Sequence, residues 1–166
     1  MTFADIPQNV SFFLDANTFV YHFSQHPALA APSTLLIDRI ARQELHAFTS
    51  ADVLSDVAHR LMVLEASTVL GWTGTGITKR LRMHPTEINK LAGFQQAIRE
   101  IPGYGIQVVP TTSSLVETAT EVSRQFGLLS GDALIVTVMQ HQGLTHLASH
   151  DADFDRVPGI TGYAPA

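Results

Sequence analysis

Short apolar runs alternate along this chain with longer stretches of helical periodicity, and that alternation narrows the available folds more than anything else in the sequence. VSFFLD (10–15), HAFTS (46–50), IQVVP (106–110), THLASHD (145–151) and the shorter GITGYAP (159–165) read as five strands. Helical segments fill the gaps. NTFVYHFSQ (17–25) is a short aromatic helix. STLLIDRIARQEL (33–45) puts Leu36, Ile37, Ile40 and Ala41 on one stripe, with Ser33 as its N-cap. Ser50 is placed to cap ADVLSDVAHRLMVLEA, where Val53, Val57, Leu61 and Leu64 recur at helical spacing. GWTGTG (71–76) breaks the pattern with three glycines, and a helix over 86–100 is stopped by Pro102. TTSSLVETATEVSRQFG aligns Leu115, Ala119, Val122 and Phe126, with Gly127 where a helix ends, and GDALIVTVMQHQG (131–143) is a more apolar helix. Parallel strands need long crossovers, and the helices supply them. The expectation is an α/β fold, a three-layer α/β/α sandwich on a mostly parallel sheet. It forms one domain over 1–166 with a helical insertion at about 70–104.

In such folds ligands gather at the C-terminal ends of the strands, and acidic residues stand there. Asp15 ends the first strand. Asp151 follows the fourth, with Asp153 and Asp155 close behind. Asp132 opens a helix after Ser130 and Gly131, and Asp52 and Asp56 lie one turn apart after Ser50. Each has an ordinary alternative: a helix cap for Asp15, an Asx-turn for Asp151, a dipole-favoured first turn for Asp132, a solvated stripe for Asp56. Taken together, carboxylates in one crevice are hard oxygen ligands suited to Mg²⁺ or Mn²⁺, with Asp153 in a supporting position. Asn17 is placed either to bond a carboxylate or to cap the next helix. Ser149 and Ser50 can hold a phosphate or serve as cap and turn.

Bulk properties remove several other classes. The net charge of −5 argues against a broad phosphate-binding surface, although five of the ten basic residues (Lys79, Arg80, Arg82, Lys90 and Arg99) fall in one segment. Cysteine is absent, which excludes thiolate metal sites and fits a reducing cytoplasm. No apolar run reaches the ~18 residues of a membrane span, and MTFADIPQNV lacks signal-peptide character. His141, His146 and His150 lack the helical i, i+4 spacing of a zinc hydrolase motif. A phosphatase working through an aspartyl-phosphate would want an acid at position 17, where Asn17 stands, and a lysine near the pocket. The two lysines, Lys79 and Lys90, lie in the middle segment instead.

Four places together resemble the PIN-domain nucleases, including the ribonuclease toxins of VapBC-type toxin–antitoxin pairs: FFLDAN, TSADVLSDVAHRLM, GDALIVTVMQHQG and LASHDADFDRVPGI. The similarity runs from about Ser11 to Ile160. It implies a metal-dependent endoribonuclease with catalytic Asp15, Asp56, Asp132 and Asp151. Mg²⁺ or Mn²⁺ would be held by Asp15, Asp132, Asp151 and Asp153. It further implies an RNA substrate, an antitoxin protein as partner, and the homodimer common in the family. The family's second acid is usually glutamate. Asp56 is one methylene shorter, and Asp52 and Glu65 are the neighbouring alternatives. A catalytically weak RNA-binding module is the competing expectation.

Overall fold

The computed structural model, which describes residues 1–166, builds a five-stranded sheet with every neighbouring pair parallel. The strands are β1 (Ser11–Leu14), β2 (His46–Ser50), β3 (Gln107–Val109), β4 (His146–Ala148) and β5 (Thr161–Tyr163), in the order β3-β2-β1-β4-β5. The central strand reads SFFL, and Phe12, Phe13 and Leu14 are fully buried. A strand covered on both faces carries no polar alternation, which is why the sequence there is a continuous apolar run.

The helices are α1 (Ala16–Ser24), α2 (Ala30–Ala41), α3 (Ala51–Val69), α4 (Ile77–Met83), α5 (Gly93–Glu100), α6 (Ser113–Phe126) and α7 (Ser130–His141). The chain steps outward from β1 to β2 to β3, then crosses back over β1 to β4. Right-handed crossovers put α1 to α5 on one face and, because the direction reverses, α6 and α7 on the other. The reversal makes the gap between β1 and β4 a topological switch point, where a crevice opens above the strand ends.

Three expectations need correction. Ser33 lies inside α2, whose N-cap is Leu29. Pro32 sits in the first turn, where its missing N–H costs nothing, so the helix starts earlier than the serine signal indicated. Ser50 does hold the N-cap position of α3 but makes no capping bond, and its buried hydroxyl has no partner. The helix expected over 86–100 is two pieces, a 3₁₀ turn over Pro85–Lys90 and then α5, while α4 was not foreseen at all. Its register is hidden by the glycines before it. Ile77, Leu81, Leu91 and Ala66 form a small cluster of their own against the far half of α3.

Glu65 explains how α5 is held. Its carboxylate accepts from the backbone N–H of Ala92, Gly93 and Phe94 at 2.9, 2.8 and 3.0 Å, filling the exposed amides at the helix start. A side chain at position 93 would meet Glu65 Oε1 at 3.2 Å, so the glycine permits the approach. Glu65 is therefore committed to structure rather than to the strand-end crevice. Glu65→Ala should cost about 1–2 kcal/mol, the scale of a lost helix cap. Urea unfolding would show it as a lowered midpoint, with the folded variant keeping the wild-type rate of any reaction the crevice carries out.

Candidate active site

Asp15 follows directly on β1 and takes the N-cap position of α1. Its backbone N–H donates to the Ala148 carbonyl of β4 at 3.1 Å, so the sheet itself sets its height. The side chain is 8% exposed and receives three donors: Ala16 N–H at 2.5 Å on Oδ1, and Asn17 Nδ2 and Ser149 Oγ, both at 2.6 Å, on Oδ2. Asn17 also donates to Ser149 Oγ at 3.2 Å and accepts from the His150 backbone N–H at 3.2 Å. Of its two open roles it thus takes the first, as a clamp joining the ends of β1 and β4 through Asp15. Burial pushes the Asp15 carboxyl above its ordinary range. The Ser149 and Ala16 bonds and the charge of Arg60 work against that rise, and Asp56 adds to it.

Asp132 stands in the first turn of α7, on the opposite layer. Its carboxyl is pushed up to about 6, first by burial and then by the charges of Asp151, Asp15, Asp153 and Asp56. A helix N-terminus favours the ionised form, so burial and the like charges together outweigh the dipole here.

Asp15, Asp132, Asp56 and Asp52 line one cleft of about 620 Å³. Val116, Ala119, Leu134 and Ile135 from α6 and α7 give it an apolar wall, and Ser123, Thr120, Ser130 and Arg124 stand on the same side. Asp56 is exposed, with Oδ2 3.6 Å from Arg60 Nη1 one turn on. Asp52 accepts from the Thr111 hydroxyl at 2.5 Å, tying α3 to the end of β3. Asp151 lies in a neighbouring pocket at the ends of β4 and β5. It accepts from the Asp153 N–H at 2.9 Å while donating its own N–H to Ser149 Oγ at 3.0 Å, which makes an Asx-turn and places it one hydrogen bond from the Asp15 clamp. Asp153 is paired with Arg156 at 2.7 Å on the surface.

Three of the expected acids, Asp15, Asp56 and Asp132, thus meet in one cleft, and the charges of Asp151 and Asp153 reach Asp132 from beside it. The sequence reading passed over Arg60 and Arg124. Arg60 was legible as the i+4 partner of Asp56, whereas Arg124 enters only through the pairing of α6 with α7. His146 bonds the Tyr163 hydroxyl at 2.9 Å, His150 bonds that of Tyr21 at 3.0 Å, and His141 is exposed, so the three histidines do not converge.

No three acidic or histidine side chains stand close enough together to hold a metal ion among them. The donor set still fits a hard cation. Mg²⁺ keeps several waters and takes one or two carboxylates directly, so it needs no such group of three. The raised Asp132 carboxyl marks a place where positive charge would relieve repulsion.

The PIN-domain family model matches residues 12–160. The chain belongs to the PIN-domain family. Among characterised relatives, a VapC ribonuclease of Mycobacterium bovis and the ribonuclease VapC13 of Mycobacterium tuberculosis are each 28% identical over 149 residues, covering 89% of this chain and 95% of theirs. Two solved structures share the fold. VapC20 of M. tuberculosis, a sarcin–ricin loop cleaving toxin, has a TM-score of 0.60 at 16% identity, covering 87% of this chain and 92% of its own. VapBC2 of Rickettsia felis, bound to a DNA fragment from its promoter, has a TM-score of 0.57 at 14% identity, covering 93% and 98%. The matched range takes in both the run FFLD at the end of β1 and the DADF segment after β4.

The Asp132 environment has a consequence for the metal-free protein. A carboxyl raised in the folded state favours folding below the unfolded value of 3.8, and that contribution is lost as pH rises through about 6. Asp132→Asn removes the loss. Above pH 6 it should be more stable than the parent by about 1–2 kcal/mol, after discounting for solvent screening of a partly exposed group. Below pH 4 the two should coincide. Thermal unfolding in EDTA across pH 4–8 would show the two curves diverging.

Proposed function

We propose that this chain is a divalent-metal-dependent endoribonuclease and the toxin member of a toxin–antitoxin pair. The observation that carries the proposal is the convergence of Asp15, Asp56 and Asp132 on one cleft, where burial and the neighbouring carboxylates raise Asp132 to about 6. Membership of the PIN family and the two relatives named as VapC ribonucleases support it. An antitoxin protein as partner is supported by the toxin–antitoxin assembly that shares the fold. No helix is long and apolar enough to cross a membrane.

In this mechanism one or two of Asp15, Asp132 and Asp151 would bind Mg²⁺ or Mn²⁺ directly and the rest through its waters, with Asp153 behind them. When bound, such an ion acidifies water and neutralises charge on a phosphodiester. The chain's own groups do the rest. Asn17 and Ser149 fix the Asp15 carboxylate, so its free lone pairs face the cleft in one orientation. Asp132, whose carboxyl is pushed up to about 6 in the metal-free cleft, would serve there as one of the carboxylates that hold the ion. Asp56, exposed at the rim, is one methylene short of the family's usual glutamate and acts through a bridging water. Arg124 on the opposite wall holds a phosphate oxygen of the substrate as negative charge builds.

An aspartyl-phosphate mechanism has no support. Oδ2 of Asp15 carries two donors inside the protein, and the side chain at 17 is the amide that donates one of them.

Cleavage of an RNA with unpaired loops should require Mg²⁺ or Mn²⁺ and stop in excess EDTA. Asp15→Asn should abolish it in a protein that still folds, because Ser149 and Asn17 can turn to accept from the new amide. Cleavage that persists in EDTA, or an unfolded Asp15→Asn, would overturn the assignment. For Asp56 the single-turnover rate at saturating Mg²⁺ decides. Asp56→Ala should lower it by about 10²-fold, while Asp56→Glu should keep or raise it. An unchanged rate in Asp56→Ala would make that residue a solvated helix position and move its role to Asp52, which lines the same cleft.

A further inference from the structure

A second cleft, of about 420 Å³, adjoins the acidic one and has the opposite character. Tyr21 and His26 of the α1 side and His59, Arg60 and Thr78 of the α3 and α4 side line it, and none is acidic. The two clefts meet at the Asp56–Arg60 pair. Asp56 faces the acidic cleft and Arg60 the other, and the charge of Arg60 reaches Asp15. That pair is loose, at 3.6 Å with side chains 53% and 39% exposed, so the guanidinium can turn to a stronger anion. The plane of the Tyr21 ring is fixed by edge contacts to His26 at 5.1 Å and His150 at 5.8 Å, and by its hydroxyl bond to His150 Nδ1. His26 Nδ1 accepts from the backbone N–H of Ala28 and Leu29 at 3.3 and 3.2 Å. Its ring proton is therefore on Nε2, a donor. Beyond Thr78 the exposed Lys79, Arg80 and Arg82 of α4 continue the positive charge, with Arg80 stacked 4.3 Å over Trp72.

We propose that this cleft is the binding subsite for the unpaired nucleotide next to the scissile phosphate, with its phosphate on Arg60, His59 and His26 and its base against Tyr21. The proposal rests on the ribonuclease reading and adds to it where the strand leaves the acidic cleft. A polyanion passing over that cleft meets repulsion in a chain of net charge −5, and needs donors beside it. A fixed aromatic ring beside a guanidinium and further N–H donors is the composition that holds single-stranded nucleic acid, because every base has a face to stack. An acidic peptide would use the charges and leave the ring unexplained. Arg60, His59 and Tyr21 are thus positioning residues for substrate, distinct from the carboxylates that act on the bond.

The test uses fluorescence anisotropy with single-stranded RNA oligonucleotides trimmed one residue at a time from each end. The protein is the full chain carrying Asp15→Asn to prevent cleavage. Adding Tyr21→Leu should weaken binding roughly tenfold, the scale of one lost base stack, and Tyr21→Phe should restore it. His59→Gln, at an exposed position that cannot disturb folding, should weaken binding a few-fold. Arg60→Gln should reduce the slope of log Kd against log salt by about 0.7, one phosphate contact on a single strand. The Tyr21 effect should vanish once the oligonucleotide is shortened past one particular nucleotide. In the otherwise wild-type chain, Tyr21→Leu and His59→Gln should raise the RNA concentration for half-maximal cleavage and leave the maximal rate unchanged. Binding that none of the variants alters, or a Tyr21 effect independent of RNA length, would overturn the subsite. RNA binding with these dependences but no cleavage by the wild-type chain would instead refute the nuclease reading and keep the subsite.

Discussion

The carboxylate of Asp15 is the joint on which this structure depends. It sits where two adjacent parallel strands end, nearly sealed from water, in a place where an isolated charge would be costly. Three donors from both strand ends offset that cost, each a bond to a charged acceptor of about 1.5–3 kcal/mol. The clamp has a mechanical effect as well. Ser149 holds Asp15 with its hydroxyl proton and the Asp151 amide with its lone pair, and Asn17 reaches the His150 amide. The turn after β4 is thereby fixed relative to β1, and the acids in that turn are delivered to the crevice edge. Residues remote in sequence are locked together by one buried anion.

Around that joint the fold brings like charges together from separate layers. Asp56 descends from the β2–α3 crossover on one face, Asp132 from α7 on the other, and Asp151 from the loop between β4 and β5. Asp132 bears the consequence because it is partly buried and faces the rest, whereas Asp153 finds Arg156 and Asp56 finds Arg60. A cluster of this kind is unfavourable for the empty protein. On the proposed reading it becomes favourable when a cation enters, and the cation in turn would draw a phosphodiester to the cleft. Opposite sign is kept to the margin: Arg124 on the apolar wall, Arg60 at the seam with the neighbouring cleft.

Much of this was legible in the sequence, and the physical reasons are specific. A central strand buried on both faces writes itself as an apolar run, so SFFL located the sheet, and HAFTS was too short for anything but a strand beside it. Strand-end aspartates followed from the topology rule. Asn17 and Ser149 were recognised as candidates, but their choice between capping and clamping depended on β1 and β4 being neighbours, which no local pattern states. Where glycines and short 3₁₀ turns interrupt the period, between 71 and 104, the helix boundaries could not be read. Glu65 illustrates the same limit: at its place on α3 it was a plausible second acid, and only the packing of α5 against that helix reveals it as a cap for three amides. Ser33 and Ser50 carried capping signals, yet Ser33 lies inside α2 and Ser50, at the N-cap of α3, makes no capping bond, leaving two buried hydroxyls without partners.

The central claim is that these carboxylates form one electrostatic unit completed by a cation. Carboxyl ¹³C NMR titration of Asp132, with and without Mg²⁺, addresses it directly. The account expects Asp132 to titrate near 6 in the metal-free protein, and to fall to or below the ordinary carboxylate range when Mg²⁺ is added, with Asp15→Asn lowering the metal-free value and weakening the response. An Asp132 that titrates at its ordinary value and ignores both Mg²⁺ and the charge at position 15 would contradict it.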